Sequence, residues 1–325
     1  MSGARRDAVI TSPDLEPAAI RAAHGQIEPV FTGSPQFVHD GLSARLGVPV
    51  IVKVETVNPI RSFKGRGTWV AMQALAGEGT VDGERPVVCV SAGNFGQGVA
   101  YAARALGVPA VVFCSTRANR AKVARMQALG ASVIEQGDDF DAARGGSEAY
   151  AIDRGAYLLV DGDDVRISTG AATLALEVTD AVVAGLLPMP VVAAVPVGNG
   201  ALINGVGAWL RGAAPGCRVV GVQAEGAAAM TMSWKAGRPI DTERADTYAD
   251  GIASRVAIPR AVELMTGRVD DMITVSEQAL RTAQAELTDE LGITVEGATA
   301  ASWAGLLAGE RPMGPALVIV TGSNA

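Results

Sequence analysis

Lysine is scarce in this chain: of 27 basic residues only four are lysines, at positions 53, 64, 122 and 235. Any chemistry that needs a lysine has very few places to reside. Histidine is scarcer still, with only His24 and His39, both near the N-terminus, so a Ser-His-Asp triad or a histidine-held metal has little to build on. The three cysteines, Cys89, Cys114 and Cys217, are odd in number, widely spaced and set in apolar runs such as "VVCVS" and "VVFCS". They read as buried reduced thiols inside strands, and neither a disulfide framework nor a cysteine metal site fits the spacing. No stretch reaches the run of about eighteen uninterrupted apolar residues that a membrane helix requires, and "MSGARRDAVITSPDLEP" lacks the continuous apolar run of a secretory signal. The expectation is a cytoplasmic protein without a membrane partner. A net charge of −7 provides no concentrated basic surface, which argues against nucleic acid and for small-molecule ligands.

With 49% hydrophobic and 19% charged residues and no low-complexity segment, the 325 residues describe a globular chain long enough for about two domains. From residue 86 short β-branched runs alternate with Ala-rich stretches of helix length. "PVVCVS", "PAVVFC", "ASVIEQ" and "AYLLV" are separated by "GQGVAYAARALG", "ANRAKVARMQALG" and "FDAARGGSEAYAIDRG". Parallel strands need such crossovers, so the class is α/β. A second series runs from "ISTGAATLALEVTDAVVAGL" through "VVAAVPVG", "GALINGVGAWLRGA", "CRVVGVQAE" and "RVDDMITVS" to "ALVIVTG". Two series predict two open, twisted, mostly parallel sheets flanked by helices, with ligands bound beyond the carboxyl ends of the strands.

The chemistry-bearing residues are therefore sought just after strands. In "VVAAVPVGNGALINGVGAW" a strand is followed by Gly198, Asn199 and Gly200 and then an amphipathic helix, an arrangement that offers backbone N–H groups to a phosphate. The same pattern also serves a plain helix-opening turn. A dinucleotide fingerprint would place a third glycine where Ile203 stands, although Glu225 after the next strand could hold a ribose; no triphosphate loop occurs. In "VVCVSAGNFGQG" the turn Ser91-Ala92-Gly93-Asn94 can receive a carboxylate, or Ser91 or Asn94 can simply cap the helix. Thr321 follows the last strand. Lys64, in "ETVNPIRSFKGRG", follows Phe63 and stands between small residues, with Ser62 as the expected helix cap. Arginine keeps its proton, whereas a desolvated lysine at a helix N-terminus can act as an amine nucleophile; the alternative is a solvated first-turn lysine. A phosphate loop, a carboxylate loop, a lysine and a hydroxyl on one rim are what an amino-acid enzyme using pyridoxal phosphate needs.

On these residues the chain resembles the fold-type II pyridoxal-phosphate enzymes, which include threonine and serine dehydratases, serine racemase, threonine synthase and cysteine synthase. "SFKGRG" is similar to S-F-K-x-R-G and "SAGNFGQGVAYAA" to S-A-G-N-H-A-Q-G-V-A. "PVGNGAL" is similar to the glycine phosphate loop, "YADGIAS" to A-D-G-[IV], "TVEGATAA" to V-E-x-x-G-A and "VTGSNA" to S-G-G-N. The resemblance implies that Lys64 carries pyridoxal phosphate as a Schiff base and moves the α-proton, with Phe63 against the ring. Asn94 would meet the ring's 3′-oxygen, residues 198–202 (Gly198, Asn199, Gly200, Ala201, Leu202) the phosphate, and Thr321 the pyridine nitrogen. Ser91, Ala92, Gly93 and Asn94 would hold the substrate carboxylate, and Gly251 would line the substrate cavity.

Several positions depart from the family pattern. Phe95 stands for the usual His, Asn199 and Ala201 for two glycines, "GAAT" at 170–173 for G-Q-G-T, and Ala92 where racemases carry a second serine. Thr231 takes the place of a second acidic residue after Glu225, so no tight metal site is expected. The resemblance further implies a large domain of residues 1–85 and 164–325, a small mobile domain of 86–163 inserted in it, no C-terminal regulatory domain, and a homodimer. The activity implied is α,β-elimination from a β-hydroxy amino acid such as L-threonine or L-serine. β-Replacement through the same aminoacrylate, and a non-catalytic nucleotide-binding α/β protein, are the alternatives.

Overall fold

A computed structural model describes residues 15–138 and 140–324; residues 1–14 of the N-terminal stretch considered above lie outside this range. Pro17 opens α1 (Pro17–Gln26) at a position where its missing N–H costs nothing. Strands β1 (Gln36–Val38) and β2 (Val50–Val54) pair antiparallel around α2 (Asp40–Leu46), which His39 caps by accepting the Leu42 N–H. Helix α3 (Lys64–Gly77) follows. Next, β3 (Val87–Val90), β4 (Ala110–Cys114), β5 (Ser132–Glu135) and β6 (Tyr157–Leu158) alternate with α4 (Asn94–Leu106), α5 (Arg120–Ala128) and α6 (Phe140–Arg154). These four strands form one parallel sheet in the order β5-β4-β3-β6.

The chain then returns to the first sheet. Helix α7 (Val165–Val183) leads to β7 (Val192–Pro196), α8 (Ala201–Ala213), β8 (Arg218–Ala224), α9 (Ala229–Ala236), α10 (Pro259–Met265) and β9 (Asp271–Val275). Helices α11 (Glu277–Leu291) and α12 (Gly297–Ala308) precede β10 (Ala316–Val320), and the six-stranded order is β1-β2-β10-β7-β8-β9. Every pairing in it is parallel except β1 with β2.

Both faces of each sheet are covered, which is why the strands read as unbroken apolar runs. In β10, Leu317 and Ile319 join the core shared with α7 and α8, whereas Ala316, Val318 and Val320 join the one built on α11, α12 and Trp303. In the smaller sheet Val87 and Cys89 face α3 and α4, while Val88, Val111 and Phe113 pack on Ala143 and Ala151 of α6. Among the described residues no helix is long and apolar enough to cross a membrane.

Candidate active site

The carboxyl ends of β3, β6, β7 and β10 open onto one cavity of about 760 Å³. Every residue that the resemblance assigns to cofactor or substrate lines it: Phe63, Lys64, Ser91, Ala92, Gly93, Asn94, Gly198, Asn199, Gly200, Ala201, Leu202, Gly251 and Thr321; Glu225, the ribose candidate, does not. Open parallel sheets concentrate their ligands at this rim because loop backbone and helix N-termini converge there.

Lys64 is the first residue of α3. Its Nζ donates to Asp161 Oδ2 at 2.7 Å, lies 4.8 Å from the centre of the Phe63 ring, and lies 5.7 Å from that of Phe95. Phe95, where the family usually has histidine, thus gives the lysine an apolar wall. Ser62 does not cap α3. The N-cap position belongs to Phe63 with no side-chain bond, and Ser62 Oγ is buried without a partner. The turn instead holds through backbone: Phe63 N–H donates to Thr321 O at 3.0 Å, tying the lysine segment to the end of β10.

Helix α4 begins at Asn94 after Gly93, and no side chain caps it. Ser91 Oγ accepts the Gly93 N–H at 3.0 Å, which fixes the turn and leaves the first-turn amides of the helix for a ligand. The Asn94 side chain is oriented by two partners and keeps its second Nδ2 N–H for a ligand. It donates to Glu296 Oε2 and accepts from Asn324 Nδ2, each at 2.8 Å, while the Asn324 N–H donates to Glu296 Oε1 at 2.8 Å. Gly322 closes this triangle, since a Cβ there would lie 2.4 Å from Glu296 Oε2. Burial pushes the Glu296 carboxyl up, with Lys122 and the Asn94 bond pulling the other way. Lys122 of α5 pairs with Asp250 at 2.5 Å, beside Gly93 and Gly251.

The loop after β7 is a backbone cradle. Gly200 has φ 93° and precedes α8, which likewise has no side-chain cap; a Cβ on Gly198 would lie 2.6 Å from Gly251 O. Side chains are kept out, so backbone N–H groups and the positive end of α8 face the cavity, as a phosphate requires. Asn199 turns its side chain aside to accept from Ser254 Oγ at 3.0 Å, and Ala201 and Leu202 bury the first turn of α8. The Thr321 hydroxyl shares a 2.9 Å hydrogen bond with Thr299. A lysine amine, a phosphate cradle and a neutral hydroxyl along one cavity fit pyridoxal phosphate. After β8, Thr231 turns inward, its N–H and hydroxyl both bonded to Gln223 Oε1 at 2.8 and 2.9 Å. Among the described residues no group of three or more His, Cys, Asp or Glu could hold a metal ion.

Beneath the site lies a charge cluster for which the sequence reading assigned no role. Arg66, the third residue of α3, donates through Nε to Glu55 Oε2 at 2.7 Å and through Nη1 to Glu177 Oε1 at 2.8 Å and Thr173 at 3.1 Å. The Lys53 ammonium, with no exposed surface, meets Glu177 Oε2 at 2.5 Å. Burial opposes the Arg66 charge, but Glu55 and Glu177 outweigh it and hold its proton more firmly. Burial likewise opposes the Glu177 carboxylate, yet Arg66 and Lys53 pull it down to about 2. The scarcity of lysine marked both Lys53 and Lys64, and only burial separates their roles. Asp161 was missed as well; it stands just after β6, so the strand-end rule was the signal that could have found it.

A family profile described as pyridoxal-phosphate dependent enzyme matches residues 27–322. The chain is 35% identical over 319 residues to a biosynthetic L-threonine dehydratase of Mycobacterium leprae, covering 96% of this chain and 73% of that protein. It is 33% identical over 302 residues to phenylserine dehydratase of Ralstonia pickettii, covering 92% and 88% respectively. Among solved structures, the threonine deaminase of T.th. superposes with a TM-score of 0.86 at 30% identity, covering 95% of this chain and 98% of that one. The cradle, the lysine and the match across nearly the whole chain agree, and the chain belongs to the family of pyridoxal-phosphate dependent enzymes.

Proposed function

We propose that this protein is a lyase that removes water from a β-hydroxy-α-amino acid such as L-threonine or L-serine and releases the corresponding 2-oxo acid and ammonia. The observation that carries the reading is the placement of Lys64 between a carboxylate-binding turn and a phosphate cradle on one cavity. Relatives named threonine dehydratase and phenylserine dehydratase support the β-hydroxy class.

Bound pyridoxal phosphate supplies an electron sink that makes the α-proton of an attached amino acid acidic enough to remove. Gly198 to Leu202 and the N-terminus of α8 would hold its phosphate, Lys64 would form its covalent link, Phe63 would flank its ring, and Thr321 and the second Nδ2 N–H of Asn94 would meet its polar edges. The turn from Ser91 to Asn94 binds the substrate carboxylate through backbone amides, which orients the Cα–H bond toward Lys64. Lys64 Nζ takes that proton. Ala92 offers no hydroxyl to return a proton on the opposite face, which favours elimination over racemisation. Gly251 borders the space for the β-substituent, and the segment 86–163, carrying the four-stranded sheet, acts as a small domain that closes to exclude water. We further propose that the chain works as a homodimer, in keeping with the prevalence of two-fold assemblies.

The test combines absorption spectra with 2-oxo acid release. The protein with pyridoxal phosphate is expected to show a visible band and to produce 2-oxo acid from L-threonine or L-serine, and Lys64→Ala is expected to lose at least about 10³-fold in turnover, from the loss of both a base and a nucleophile. A band that survives Lys64→Ala, or a panel of β-hydroxy amino acids that yields no 2-oxo acid, sinks the proposal.

A further inference from the structure

We propose that Lys122 is a substrate-binding residue: its ammonium meets the α-carboxylate of the amino acid seated on the turn from Ser91 to Asn94. The inference deepens the lyase reading of the same cavity and rests on it.

Of the four lysines, Lys53 belongs to the buried cluster with Glu177, Lys64 is assigned to the cofactor, and Lys235 is exposed near the end of α9. Lys122 is the remaining one, and it lines the cavity. It is the third residue of α5, which Asn119 caps by accepting the Ala121 and Lys122 N–H groups, and its side chain is only 8% exposed. Burial disfavours an ammonium, and so does the first turn of a helix, where it meets the positive end of the dipole. Asp250 Oδ2, at 2.5 Å, offsets part of this cost. An ammonium has three N–H donors, and among the described residues Asp250 is its hydrogen-bond partner for one of them, which leaves two for a ligand.

Those donors lie beside the turn. A Cβ on Gly93 would stand 3.3 Å from Lys122 Cδ and 3.7 Å from its Nζ, and the three atoms nearest that position all belong to Lys122. The lysine stem therefore runs against the backbone whose amides receive the carboxylate.

The charge balance points the same way. Backbone amides carry no net charge, and this corner already holds Glu296 and Asp250. Burial pushes the Glu296 carboxyl up and Asp250 adds to that, while Lys122 pulls it down. A further carboxylate brought here needs a cation of its own. Among the other cations on the cavity, Lys64 is held by Asp161, Arg117 pairs with Asp138 and Arg144 with Glu148, while Arg244 and Arg255 share the segment after α9 with Glu243. Arg125, which also feels Glu296, is bonded to Asn324 and does not line the cavity. Lys122 is the cation set against Gly93.

The experiment titrates the protein carrying pyridoxal phosphate with two probes and reads binding from the change in the visible band. L-Alanine has the carboxylate but no β-leaving group, and L-alaninamide has a neutral amide in its place. Lys122→Met and Lys122→Gln keep most of the stem and lose the charge, and having two neutral variants keeps the test decisive if one does not fold. In both, the affinity for L-alanine is expected to fall by about 10- to 140-fold, the range for a lost hydrogen bond to a charged group, while that for L-alaninamide changes little. Lys122→Arg, which keeps the charge, is expected to restore part of the difference. With L-threonine or L-serine the neutral variants are expected to raise KM more than they lower kcat. An equal loss for both probes would mean that Lys122 only supports the turn, and an unchanged affinity for L-alanine would mean that the carboxylate does not reach it; either overturns the inference. Wild type that prefers L-alanine through Lys122 but forms no 2-oxo acid from β-hydroxy amino acids sinks the lyase reading and leaves the carboxylate site standing. Wild type whose band responds to neither probe overturns both.

Discussion

Arg61 is the one non-glycine residue with positive φ among the described residues, at 52°. It stands three residues before Lys64, its carbonyl accepts the Ser323 N–H at 3.0 Å, and its charge adds to burial in making the proton of Arg125 easier to lose. A left-handed non-glycine residue costs about 1–2 kcal/mol, and glycine's larger freedom in the unfolded chain takes back about 0.5–1 kcal/mol. Arg61→Gly is therefore expected to stabilise the fold by up to about 1 kcal/mol, read as a higher urea midpoint with unchanged slope. A lower midpoint would mean that the Arg61 side chain holds the turn. At this scale the sequence was legible wherever a residue type was rare or belonged to a strand-end motif: Lys64, Ser91, Asn94 and Thr321 all line the cavity. It was opaque where a residue works through a partner distant in sequence. Asp161 reaches Lys64 across 97 positions and Glu296 reaches Asn94 across 202; a strand end or a motif can mark each residue, but not which partner it meets. Ser62 misled because capping statistics describe isolated helix starts, whereas α3 starts from a turn that is tied by backbone bonds to β10.

Helices α4 and α8 share a design: each follows a buried parallel strand, has glycine at its N-cap position and has no side-chain cap. Their first-turn amides are left to a ligand, so a side chain placed in the turn competes with it. Gly198→Ala puts a Cβ 2.6 Å from the Gly251 carbonyl. Overpacking of this kind costs about 1–3 kcal/mol, equivalent at about 1.4 kcal/mol per decade to a loss of about 5- to 140-fold in pyridoxal-phosphate affinity. Gly145→Ala in α6 is the control, because a Cβ there meets nothing within 4 Å. It is expected to leave affinity unchanged and to gain about 0.5–1 kcal/mol in stability. Equilibrium dialysis of the cofactor against both variants checks the contrast; equal affinities would remove the cradle from the site. The alternation of strands and helices was legible because parallel strands buried on both faces carry unbroken apolar runs. Strand β1 was not, since three edge residues, none of them buried, carry no such run.

The charge cluster under the site joins parts of the molecule that are far apart in sequence. Lys53 lies on β2 and Glu55 just beyond it, Arg66 is on α3 and Glu177 on α7, while Ser34 and His24 bring in the N-terminal segment through bonds to Glu55 and Glu177. Two cations and two carboxylates balance, and with Gly65 against Phe31 and Gly67 against Ile167 they fix where the first turn of α3 sits, and hence where Lys64 emerges. Breaking a buried pair leaves an uncompensated charge and costs about 3–5 kcal/mol, so Glu177→Gln is expected to destabilise the protein by that amount near neutral pH. The cluster also sets acid stability. The Glu177 carboxyl is lowered from 4.5 to about 2 in the folded protein. Because the unfolded chain takes up that proton first, the stability it contributes is complete above about pH 4.5 and is lost as the pH falls toward 2. Urea unfolding from about pH 7 down to pH 3 is expected to show wild type losing stability steeply below pH 4.5, with Glu177→Gln lacking this part of the slope. Parallel pH profiles for the two proteins would show that the pairs with Arg66 and Lys53 add nothing beyond the desolvation they offset.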